Sequence, residues 1–178
     1  MAVQGFRIDD FVANFEYTNI SKASQFIIEV EFPSGIGNEI DPRQRKYMVT
    51  ASSIPGTGIE PIEINWQGLL FPIASNRTFP EWSITFRMDS AGKLRKAYQQ
   101  WFDMMHNPET NERSSPVNYM IPQQDVWNVN MNGEKADKIM LFHAFPTNIG
   151  EISLDYSSNE PETFDVTYRY LYSRYEAD

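Results

Sequence analysis

The chain has 178 residues and a mass of 20.7 kDa, enough by surface scaling to bury about 70% of what the unfolded chain exposes. It has no cysteine and two histidines, which excludes disulfides, thiolate nucleophiles, Cys-ligated metal centres and any site built from several imidazoles. Lys plus Arg is 15 against 24 Asp plus Glu, a formal net charge of −9, whereas a general nucleic-acid binder needs clustered positive charge.

No apolar stretch approaches 18 residues, and the start Met1 to Arg7 has no run of signal-peptide length, so neither a leader nor a membrane anchor is expected. Asn19-Ile20-Ser21 and Asn76-Arg77-Thr78 match the glycosylation pattern, and without a leader they read as chance matches. There is no internal repeat or composition shift, so residues 1–178 read as one domain. Residues 1–21 carry Phe6, Ile8, Phe11, Val12, Phe15 and Tyr17 ahead of the first regular strand pattern. Each such group is worth about 1.5–3 kcal/mol when fully buried. This arm either folds back on its own sheet or docks on neighbouring copies.

Phe26, Ile28, Val30 and Phe32 alternate with more polar residues and predict a strand. Residues 33–45 follow as a Gly/Pro-punctuated loop of a length that usually has a function, either free or docked on another copy. It ends in the basic run Arg43-Gln44-Arg45-Lys46, suited to an acidic protein surface. Ile62-Ile64-Trp66 and Trp82-Ile84-Phe86-Met88 show the period of two again. From Ala91 to His106 the spacing changes: Leu94, Tyr98, Trp101, Phe102 and Met105 form a helical stripe of about four turns. Asp89 or Ser90 is placed to cap it, and Asn107-Pro108 ends it. Further alternating runs fall at Trp127-Val129-Met131, Ile152-Leu154-Tyr156 and Phe164 to Tyr172, while Lys138 to Phe145 is apolar on both faces. Seven or so strands with one helix predict a mainly β sandwich or barrel, with Trp66, Trp82 and Trp127 reading as core.

No constellation carries catalysis. His106 and His143 stand apart and read as structural. The acid pairs Asp9-Asp10, Glu29/Glu31 and Glu160/Glu162 lie on extended chain with no sign of the burial that tunes a general acid. Gly56-Thr57-Gly58 lacks the further glycine and lysine of a phosphate cradle. The chain is read as no enzyme, with no cofactor and no metal. Several acids, Glu63, Glu151 and Asp155 among them, sit on polar faces, where carboxylates repel phosphates and discourage random edge pairing.

Asn76-Arg77-Thr78-Phe79-Pro80-Glu81-Trp82-Ser83-Ile84-Thr85-Phe86, then Leu94, Tyr98-Gln99-Gln100-Trp101-Phe102 and His106-Asn107-Pro108, resemble the middle of the tail tube proteins of T4-like contractile phages. Ala144-Phe145-Pro146-Thr147-Asn148-Ile149-Gly150, Ile152 to Tyr156 and the closing strand Phe164 to Tyr170 are similar too, as is the Ser53-Ile54-Pro55-Gly56 turn. His143 stands where Asn is commoner in that family, and Gln123-Gln124-Asp125 and Met131 to Glu134 depart from its pattern.

The resemblance implies a small β-barrel or split β-sandwich of seven to eight antiparallel strands with one flanking helix. It further implies a virion protein, assembled in the host cytoplasm, whose hexameric rings stack helically around an acidic channel for genome ejection. Implied partners are other copies, the tail sheath, baseplate and terminator proteins, and, transiently in the lumen, the tape measure protein and double-stranded DNA. The arm and the 33–45 loop would bridge copies, which makes Phe6, Phe11, Phe15, Ile36, Ile40, Arg43, Arg45 and Lys46 candidate assembly contacts. Glu63, Glu151 and Asp155 are candidates for an acidic channel or surface face. Tube or tube-initiator proteins of tailocins, extracellular injection systems and type VI secretion share the resemblance. A carbohydrate- or peptide-binding sandwich is the alternative of another class.

Overall fold

The computed structural model describes residues 8, 9, 12, 21–130 and 132–176. Among the described residues from 21 onward, nine strands and three helices follow in the order β1 Phe26–Glu29, α1 Pro42–Met48, β2 Val49–Ser52, β3 Gly58–Trp66, β4 Leu69–Thr78, β5 Trp82–Arg87, α2 Lys93–Met105, α3 Pro116–Tyr119, β6 Ile121–Val129, β7 Lys135–Ile149, β8 Thr163–Arg169 and β9 Tyr172–Tyr175. Seven strands form one antiparallel sheet in the order β1-β6-β7-β8-β5-β2, with β9 beside β7; among the described residues β3 and β4 pair only with each other.

The 15-residue β7 joins two layers. Its first part pairs with β6 on one side and, through Ile139–Phe142, with β9 on the other. Its last part, Phe145–Ile149, pairs with β8. His143 lies between, with a φ of 54°, a left-handed value that costs a non-glycine residue and marks the bend. The first layer is thus β1, β6, the start of β7 and β9; the second is the end of β7, β8, β5 and β2. β1 and β2 lie at opposite ends of the strand order and are not paired, so the sheet is a split sandwich and does not close into a barrel.

Alternation gives each layer its inner face. Trp82, Ile84 and Phe86 on β5 and Phe164, Val166 and Tyr168 on β8 are fully or almost fully buried, as are Ile28, Val126, Ile139 and Leu141 of the first layer. Helix α2 packs its stripe of Leu94, Ala97, Tyr98 and Trp101 into the same core. Tyr98 touches Phe86, Phe164 and Tyr168, and Trp101 touches Tyr168. The Tyr98 and Tyr168 hydroxyls bond each other at 2.6 Å, so neither polar tip is left unpaired where that would be costly. Gly92 starts the helix, and the Asp89 carboxylate accepts from the backbone N–H of Lys93 and Leu94 at 3.1 and 3.3 Å.

Three expectations change. Ile152–Tyr156 is irregular chain between β7 and β8, not a strand; Leu154 and Tyr156 project into solvent. The 33–45 loop is not loose. Ile36 and Ile40 are buried, and Asp41 caps a short helix begun by Pro42 and holding Arg45 and Lys46. Trp66 is 69% exposed, because its strand belongs to a hairpin outside the sandwich.

Candidate assembly interface

The β3–β4 hairpin stands outside the sandwich, with its large apolar side chains exposed among the described residues. Its two strands meet at Trp66 and Leu69 around Gln67 and Gly68, whose φ values are 49° and 85°. Two consecutive left-handed residues make the tight turn whose twist matches paired strands, and Gly68 pays no steric cost there. The Gly68 N–H donates to Asn65 Oδ1 at 3.3 Å.

Register decides the chemistry of its faces. Trp66 stands opposite Leu69, Ile64 opposite Phe71 and Ile62 opposite Ile73. Six large apolar side chains therefore share one face. All six are exposed, from 43% at Ile73 to 74% at Leu69. The other face alternates to Pro61, Glu63, Asn65, Leu70, Pro72 and Ala74. A two-stranded hairpin is marginal by itself in water, and covering even half of such a face is worth on the order of 5 kcal/mol. Pro61 and Pro72 lack the N–H that a further strand would need, which interrupts pairing along either edge of the hairpin.

The split sandwich leaves a second set of unsatisfied groups. Among the described residues β1 pairs only with β6 and β2 only with β5, leaving one edge of each without a described partner. A cleft of about 610 Å³ between them is lined by Phe26, Ile28, Val49 and Ala51. Within β7, the register with β6 ends at Ala144, so Phe145–Ile149 has a free edge opposite β8. Free edges of this kind accept strands from another chain.

The sequence-based candidates fall in different places. Ile36 and Ile40 are spent in the chain's own core. Arg45 is also buried; its guanidinium donates to the carbonyls of Gly37 at 2.7 Å and Ile40 at 3.1 Å and lies over the Phe32 ring. These three side chains fasten the loop to its own domain and are not free to reach a neighbour. Lys46 pairs with Glu29 of β1 at 2.5 Å, and Lys135 of β7 meets the same carboxylate at 2.8 Å. Burial opposes ionisation of Glu29, but the hydrogen bonds from Lys135 and Lys46 outweigh it and hold its pKa down at about 2. Arg43 is exposed. Phe6, Phe11 and Phe15 lie outside the described residues. Glu63 is on the hairpin's mixed face, away from the sheet. Glu151 and Asp155 line a cleft of about 700 Å³ with Glu160, Glu162 and Asp165 beside the projecting Tyr156. Asp155 is held below the usual carboxylate range by the Ser157 backbone N–H and hydroxyl.

What sequence reasoning missed is β4. Leu69, Phe71 and Ile73 alternate as clearly as Ile62, Ile64 and Trp66, and Gln67-Gly68 between the runs is a hairpin signal. Among the described residues no group of three or more His, Asp or Glu is placed to hold a metal ion, and no helix is long and apolar enough to cross a membrane.

The family model for phage tail tube proteins matches residues 11–177. The chain belongs to that family. This tail tube protein is 26% identical over 164 residues to the tail tube protein gp19 of Enterobacteria phage T4, covering 90% of this chain and 94% of gp19. Its fold is also that of more distant solved structures. One is a chain from the anti-feeding prophage baseplate, with a TM-score of 0.65 at 14% identity, covering 89% of this chain and 97% of that one. Another is from the sheath–tube complex of an extracellular contractile injection system in the extended state, with a TM-score of 0.63 at 15% identity, covering 93% and 97%. The family is one of structural proteins, and this member is a component of the bacteriophage tail and not an enzyme.

Proposed function

We propose that copies of this tail tube protein form hexameric rings that stack helically into a tube, and that the viral genome passes through its channel during ejection. The observation that carries this reading is the hairpin: six aligned apolar side chains that stay exposed among the described residues. A second copy is the occupant available at every position of a growing tube. If the hairpin face docks on a different surface of the next copy, the contact is heterologous, and contacts of that type either close into a ring or propagate as a helical stack. The free edges of β2 and of Phe145–Ile149 sit at the two sides of the second layer, so pairing one with the other on the next copy continues that sheet around a ring.

In this reading the finished tube lies inside a sheath, starts at a baseplate and ends at a terminator, within the virion and assembled in the host cytoplasm. The tape measure protein and double-stranded DNA occupy the lumen in turn without sequence-specific contacts. The relatedness to phage proteins over nearly the whole chain favours the virion over an injection device. Negative-stain microscopy of the purified protein, alone and with a baseplate template, tests the proposal. Six-fold rings or hollow filaments are expected; single chains under both conditions would refute it.

A further inference from the structure

Strand register gives the second layer two distinct ends. At one end β2 finishes at Ser52, opposite Ile84, and β5 begins at Trp82, opposite Tyr168. The chain between them, residues 53–81, holds the β3–β4 hairpin, and the Trp82 indole N–H donates to the Ser53 carbonyl at 2.8 Å across its roots. At the other end β5 finishes at Arg87, opposite Thr163 where β8 begins, and β7 runs in the same direction through Ile149. The chain between β7 and β8, residues 150–162, is a loop. The Gly150 N–H roots it on the Asp165 carbonyl at 2.6 Å, and the Glu162 carbonyl accepts from the Met88 N–H at 2.8 Å. Hairpin and loop thus leave from opposite ends of β5, whose six residues span about 17 Å.

The loop has exposed apolar groups of its own. Ile152 packs against the core, whereas Leu154 is 77% exposed and Tyr156 is wholly exposed. The turn that presents them is held within the loop. Asp155 Oδ1 accepts from the Ser157 N–H and hydroxyl at 2.9 and 2.8 Å, and the Ser158 N–H donates to the Asp155 carbonyl at 3.2 Å. A turn set before a partner arrives offers its aromatic ring at little entropic cost.

We infer that the 151–162 loop, through Leu154 and Tyr156, is the seat for the hairpin of a copy in the next ring. The inference rests on the ring reading above and adds which surface receives the hairpin. Pairing of β2 with Phe145–Ile149 of a neighbour runs across the strands, so a ring closes in that direction and the strand ends face along the stack. Each ring then shows hairpins on one face and loops on the other, and head-to-tail stacking brings them together in a heterologous contact that repeats. The area is sufficient. Aromatic side chains bury about 150–250 Å² each, and covering the hairpin's six apolar side chains with Leu154 and Tyr156 removes on the order of 1,000 Å² from water, the size a specific contact needs. Charge sets the polarity. Residues 151–162 hold Glu151, Asp155, Glu160 and Glu162 with no Lys or Arg, so two loop faces brought together would repel.

The lack of cysteine lets a cross-link report the contact. Leu69→Cys at the hairpin turn and Tyr156→Cys in the loop are combined in one chain. Tubes are confirmed by electron microscopy and treated with a short bis-maleimide before denaturing electrophoresis. Either single variant can link no more than two chains, whereas the double variant should give a ladder running past six. A ladder ending at six would place the contact within a ring, and intact tubes without a ladder would remove it; both overturn the inference. So would a ladder from Leu69→Cys/Ala51→Cys in its place, which would seat the hairpin in the cleft that Ala51 lines. Leu154→Ser/Tyr156→Ser gives an independent reading: its unfolding midpoint should stay unchanged while long tubes are lost and rings remain, and tubes of unaltered length would contradict the inference. Failure of the unaltered chain to form rings or tubes defeats the ring reading itself, and the micrographs show this before any cross-linking.

Discussion

Ile64 on β3 and Phe71 on β4 are directly opposed across the hairpin, and they remain 49% and 63% exposed. In a sandwich strand such a pair would be core. Here it contributes a cross-strand contact worth about 0.2–1 kcal/mol and otherwise faces solvent. Ile64→Thr or Phe71→Thr is therefore expected to lower the stability of the unassembled chain by less than about 1 kcal/mol. Phe86→Ala, from the buried side of β5, should cost about 3–5 kcal/mol. Urea unfolding of the three variants checks the contrast.

The tyrosine pair gives a second expectation. Tyr168→Phe removes one partner of the 2.6 Å bond and leaves the Tyr98 hydroxyl buried and unpaired, costing about 1–3 kcal/mol. Replacing both tyrosines by Phe should cost less than the sum of the single changes, since no orphaned hydroxyl remains. A double-mutant cycle by thermal unfolding measures this coupling.

Glu29 makes stability depend on acid pH. Its carboxyl titrates at about 2 in the folded chain against 4.5 for the reference group, so the unfolded state binds the proton first. The contribution is fully present above pH 4.5 and is lost as pH falls through the folded value near 2. For this partly exposed cluster it amounts to about 1–2 kcal/mol. Glu29→Gln should be less stable than the unaltered chain at pH 7 and converge with it near pH 2, as followed by urea midpoints across that range.

Ile40→Ala tests the role of the 33–45 loop. With the side chain 3% exposed, the substitution should cost about 2–5 kcal/mol of stability in the single chain. A change in assembly without a change in unfolding midpoint would show that this residue belongs to an interface instead.

Much of the fold was legible because burial imposes its period on sequence. The runs at Trp82, Phe164 and Leu94 to Met105 each show one apolar face, and each forms the element expected, meeting in one core. The same rule misplaced Ile62-Ile64-Trp66. Alternation records that one face is apolar, not that the face ends up in the chain's own core. The segment Ile152-Leu154-Tyr156 alternates as well, yet it pairs with no described strand and stays irregular. Ile36 and Ile40 were invisible to period-based reading because they lie on an irregular loop, where burial comes from single anchors. Arg45 binds the Gly37 and Ile40 carbonyls, a tertiary contact without a local signature. Barrel and split sandwich share strand patterns and differ only in whether β1 meets β2, a pairing that no periodicity encodes.

The most direct test of the central claim, that another copy completes the hairpin's apolar face, is to place charge on that face without touching the core. The double variant Ile64→Glu/Phe71→Glu is compared with the unaltered chain by sedimentation velocity under tube-forming conditions, with circular dichroism as the check on folding. The account predicts a folded variant that sediments as single chains or isolated rings while the unaltered chain forms long tubes. A folded variant that builds tubes as readily as the unaltered chain would contradict it.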